Sequence, residues 1–107
     1  MSLVKSFTAN GVLEGNQNVV FGIQCSTFTP PPPSGTPASG WLLVTVRDDA
    51  AVSGSGTVIA RFAISPEGGM QSVIFPAGVR CNNGVAITIT NSSPDPHDDV
   101  VVVIDYS

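Results

Sequence analysis

Apolar and polar residues alternate with period two along most of this chain, and Gly, Pro and Asn break the alternation at short intervals. LVKSFTA (3–9) reads as a first short strand. VVFGIQCSTF (19–28) places Val19, Phe21, Ile23 and Cys25 on one face. WLLVTVR (41–47) sets Leu42, Val44 and Val46 against Trp41, Leu43 and Thr45. TVIARFAI (57–64) sends Val58, Ala60, Phe62 and Ile64 inward and Thr57, Ile59 and Arg61 outward. MQSVIF (70–75), VAITIT (85–90, with Val85, Ile87 and Ile89 inward) and VVVVIDY (100–106) complete the set. No segment carries apolar residues at i, i+3 and i+4 over three turns, so helix is nearly excluded. The pattern predicts an all-β, antiparallel β-sandwich of about seven to eight strands in one domain, 1–107. A jelly roll and another Greek-key order are equally compatible with it.

The densest punctuation, FPAGVRCNNG (75–84), illustrates the reading. Pro76 lacks a ladder donor and is expected to end a strand at Phe75. Gly78 permits a bend, Val79 and Cys81 point inward, Arg80 points out, and Asn83-Gly84 supplies a tight turn. Each residue has a structural task without invoking a substrate. GSGTVI (54–59) is a hairpin turn by the same logic, since it lacks the third glycine and the Lys-Ser/Thr of a phosphate loop.

Composition narrows the function. Apolar residues make up 42% and charged residues 11%, less than half the usual quarter, so the surface is dressed with Ser, Thr, Asn and Gln. A net charge of -4 with four cations disfavours nucleic acid and anionic membranes. No apolar run suits a signal peptide or a bilayer span, which predicts residence in a cytoplasm. Cys25 and Cys81 lie outside any CxxC. They are expected as two buried, reduced thiols, with a Cys25–Cys81 bridge as the alternative.

Chemistry is sparse. SPDPHDDV (93–100) gathers Asp95, His97, Asp98 and Asp99, a set that could hold a divalent ion, but EF-hand spacing is absent and a solvated loop explains it. His97 is the single histidine, and no G-x-S-x-G elbow accompanies it. No enzyme, cofactor or metal site is expected. TPPPPSGTPASG (29–40) reads as a projecting polyproline II loop that offers a stiff connection, a PxxP segment at Pro30–Pro33 or a contact with a neighbouring subunit.

Two features point toward assembly. Trp41, Leu43, Ile59, Val101 and Val103 fall opposite the inferred core, where polar residues are usual. With Pro31 and Pro32 of the loop they form the candidate interface. In addition, DDAAVSGSGTVIARFAI, QSVIFPAGVRCNNGVAITIT and the Val-rich strand closing at Tyr106 together resemble small virion proteins of tailed bacteriophages. In those proteins a "D…SG.GTV" hairpin precedes "FP.GVRF.NG(L/I).V" and a terminal strand. The likeness covers roughly residues 41–106. Cys81 departs from it, standing where an aromatic is common, and the Pro-rich insert at 30–37 is not part of it. The resemblance implies a β-sandwich structural protein of the virion, often a capsid decoration or cement protein, assembled in the host cytoplasm. It also implies trimers, with the major capsid protein or other virion proteins as partners. A glycan- or host-surface-binding module using Trp41 as a stacking platform is the rival expectation.

Overall fold

A computed structural model describes residues 3–13, 18–28, 42–52, 54–64, 68–91 and 99–107. The eight strands are β1 (Leu3–Phe7), β2 (Gly11–Leu13), β3 (Asn18–Phe28), β4 (Leu42–Asp48), β5 (Thr57–Ile64), β6 (Gly68–Cys81), β7 (Val85–Asn91) and β8 (Asp99–Tyr106). They form two four-stranded antiparallel sheets, ordered β1-β8-β3-β6 and β2-β7-β4-β5. The outermost strands in sequence pair with each other, β1 with β8, and the nesting continues inward through β2–β7 and β3–β6 to β4–β5. A long hairpin rolled up in this way is a jelly roll, which decides between the two topologies left open by pattern alone.

The inner faces supply a single core. Ile23, Cys25, Val102 and Ile104 of the first sheet meet Leu42, Val44, Val46, Phe62, Ile64, Val85 and Ile87 of the second. Most are β-branched, joined by Leu42, Phe62 and Cys25, and they fall at alternate positions, which is why these segments are strands. Asn10 extends the second sheet where the three-residue β2 runs out: its side-chain oxygen accepts from the Ile89 amide at 2.7 Å.

Three of the expected local features are corrected, all by bulges. First, β6 does not stop at Phe75. It runs through Pro76 to Cys81 and stays paired to β3 on both sides of an irregularity. Val20 pairs with Val79 and Gly22 with Ile74, so Phe21 alone stands opposite residues 75–78. Pro76 is accommodated because this stretch has left the ladder, and because β6 is an edge strand. Gly78 takes φ of 78° there, and a Cβ on it would lie 2.5 Å from Val19 Cγ1 and 3.1 Å from the Phe21 ring.

Second, the same irregularity shifts the parity of β3. Val20 is buried, then Ile23 and Cys25, whereas Val19 and Phe21 flank Gly78 on the other side. The expected single face of Val19, Phe21, Ile23 and Cys25 therefore holds only for the last two. Third, Val46 pairs with Ala60 but Arg47 with Val58, which makes Ile59 the extra residue of β5. Ile59 leans against the core and Val58 is exposed. The inward and outward assignments of these two residues are thus exchanged.

Cys25 and Cys81 are both buried and free. Cys25 pairs across from Gln71, while Cys81 pairs with Asn18 at the far end of the same ladder. Seven strand residues separate the two positions, roughly 20 Å at the usual rise, which rules out a bridge. Burial pushes both thiols up to about 11, so they are protonated and pack as small apolar groups.

Candidate interaction surface

Two adjacent aspartates at the end of β4 explain most of the glycine- and asparagine-rich punctuation. Asp48 accepts from the backbone amides of Asn82 and Asn83, at 3.3 and 2.9 Å, and so holds the β6–β7 turn against β4. Gly84 completes that turn at φ of 137°. Asp49 accepts from Ala51 at 3.0 Å and from Gly56 at 2.7 Å, closing its own loop into a ring. A side chain on Gly54 or Gly56 would collide with the Asp49 carboxylate or the Asp48 carbonyl, which accounts for the spacing of the "SGSG" segment. The loop then folds over the outer face of β7, where Thr88 donates to the Val52 carbonyl and Ala86 is buried. These motifs are fasteners.

The hydrogen bonds from Gly56 and then Ala51 hold the Asp49 carboxyl below its ordinary range. A depressed carboxylate pKa stabilises the fold above the unfolded-state value near 4 and loses that contribution as pH falls through the folded value. Asp49→Asn is therefore expected to lower the melting temperature at pH 7. The gap to the wild-type chain should close as pH drops below about 4 in melts followed by circular dichroism. A gap of constant size at every pH would contradict the role given to the carboxylate.

The four candidate interface residues that are described, Leu43, Ile59, Val101 and Val103, do not share one surface. Leu43 is 41% exposed on the outer face of the second sheet, beside Ala63 and Thr90. Val101 and Val103 are half-buried on the outer face of the first sheet, at the opposite side of the sandwich. Ile59 belongs to the bulge and packs inward. Trp41, Pro31 and Pro32 lie outside the described residues, as do the rest of the Pro-rich loop, Asp95, His97 and Asp98, whereas Asp99 opens β8.

The register builds the outer face of the first sheet in three rows. Across β1, β8, β3 and β6, one row reads Val4, Asp105, Gly22, Ile74 and the next Ser6, Val103, Gln24, Ser72. A third reads Val101, Ser26, Met70 across β8, β3 and β6. Ile74 is 76% exposed, Val4 66% and Met70 64%. Asp105 is the only charged side chain in the three rows. The missing side chain of Gly22 leaves a shallow open groove of about 230 Å³ between Asp105, Val103, Gln24, Ser72 and Ile74. At its end, Oδ1 of Asp105 is buried without a hydrogen-bond partner among the described residues. Among the described residues no aromatic side chain lines the groove.

Sequence reasoning missed Val4, Met70 and Ile74, the most exposed apolar residues of this face. The signal for Ile74 was present but ambiguous: Val73, Ile74 and Phe75 are all apolar, and parity could be counted from any of them. In the structure Val73 and Phe75 pack against the core, which turns Ile74 outward. No protein-family model matches the chain, and no curated protein matches it either.

Proposed function

We propose that this chain is a non-enzymatic structural protein of a phage particle, of the decoration or cement type. It would act by burying interface area against its own copies and against the capsid lattice. The observation that carries the reading is the outer face of the first sheet, where Val4, Met70 and Ile74 stand exposed around half-buried Val101 and Val103 with a single charge among them. Exposed apolar side chains on an otherwise well-alternating sandwich mark a surface that is covered in use. The "D…SG.GTV" and "FP.GVR" likeness supports the virion assignment; in this chain the first motif closes the β4–β5 loop and the second forms the bulge of β6. Repetition over a symmetric shell lets modest contacts sum to a reinforced particle.

The expected result is stoichiometric binding of the purified protein to intact heads, and its presence in purified virions by mass spectrometry. Absence from virions would end the virion reading.

A further inference from the structure

We infer that β6 pairs edge to edge, antiparallel, with β6 of a second copy about a two-fold axis at Ser72, joining two first sheets into one continuous sheet. The inference deepens the assembly reading by naming a partner and a contact. β6 is the longest strand and lies at the margin of its sheet, so its outer backbone N–H and C=O groups meet no other strand among the described residues. Free edges are normally blunted by charge, brevity or a cover.

The other three edges are blunted. β1 is five residues long and carries Lys5, and β2 is only three residues long. β5 carries Arg61, and its Ala63 carbonyl is taken by the Gln71 side chain at 2.6 Å. The Gly68–Ile74 part of β6 has no such protection among the described residues: it contains no charged residue, and Pro76 and the bulge lie beyond it. Its seven residues from Gly68 to Ile74 run in unbroken register with β3, and the bulge begins only at Phe75.

A second copy fits this edge better than an arbitrary strand because the segment is complementary to itself. With the axis at Ser72, antiparallel pairing sets Met70 opposite Ile74 of the other copy, twice, and Ser72 opposite Ser72. The two most exposed apolar side chains of the edge then cover one another, as cross-strand pairs do within a sheet. No like charges meet, so nothing in the segment opposes self-pairing. A contact of this length sits at the small end of protein interfaces, and a dimer of roughly micromolar strength is its natural scale.

The test uses purified full-length protein alone. Ser72 is exposed, so its replacement leaves the core intact. Light scattering across a concentration series should show an even-numbered species. Ser72→Lys, which places two ammonium groups face to face, should weaken it about tenfold or more. Ser72→Cys should give a covalent dimer on mild oxidation much faster than Thr90→Cys, an exposed control on the other sheet. The buried Cys25 and Cys81 stay silent.

A monomer, a trimer indifferent to Ser72→Lys, or equal crosslinking at the two positions would overturn the pairing. These readouts are independent of the particle. A chain that dimerises through β6 but is missing from virions keeps the pairing and loses the capsid role, and the converse result separates them the other way.

Discussion

Ile104→Ala lowers the stability of the folded chain by about 2–5 kcal/mol, the usual cost of truncating a large aliphatic side chain in a core. Ile104 has no exposed surface and sits on β8 between β1 and β3, paired to Lys5 on one side and Ile23 on the other. It is flanked by strands within its sheet and faces the core of the other sheet, so the cavity cannot collapse by moving a loop. In a domain of this size the loss corresponds to a fall in melting temperature of at least about 10 °C. The check is urea unfolding, with a lower midpoint and an unchanged slope. Ile74→Ala makes the contrast: the same residue type on the outer face should shift stability by no more than about 0.5 kcal/mol. Equal losses at the two positions would mean that the inner and outer faces have been assigned wrongly.

The second large effect is expected at Gly78. Its φ of 78° is one that β-branched residues rarely adopt, and the space where a Cβ would sit is already occupied by Val19 and the ring of Phe21. Gly78→Val combines backbone strain with overpacking, a loss of about 2–5 kcal/mol. Gly78→Ala should cost less, because only one carbon has to be accommodated. Thermal melts of the two variants give the ordering. If valine were tolerated as well as alanine, the 75–78 bulge would be free to move away from β3, and its role in fixing the parity of that strand would fall.

How much of this was legible beforehand follows from where period two holds and where it breaks. β5 is bounded to the residue, and β4, β7 and β8 to within one, because runs rich in Val, Ile and Leu there are set off by Gly, Pro, Asn or Asp. β2 was invisible, since three residues of which the first is a glycine carry no period. The errors at Phe21, Ile59 and Pro76 share one cause: a bulge adds a residue to one strand only, and its position depends on the partner strand. The nesting of the sheets was not legible either, because nothing local to residues 3–7 says that they lie beside 102–106.

For the candidate surface the consequence was direct. Parity counted through a bulge put Ile59 outside, and parity left uncounted in MQSVIF hid Met70 and Ile74. The expectation of an apolar outer face rests on Trp41, Leu43, Ile59 and Val101 and Val103 of β8. The most exposed members came from β1 and β6.

The nested pairing also dictates an order of events as the chain is made. The β4–β5 hairpin joins partners as close as Asp48 and Thr57, so it can zip up as soon as it leaves the ribosome. Each further layer needs a later segment to travel back to an earlier one, at growing cost in loop entropy. Leu3 has no ladder partner until Tyr106 has been synthesised. β1 is thus unsecured until the last of the eight strands is made, and until then the margin of β3 that β8 covers stays open to other nascent copies.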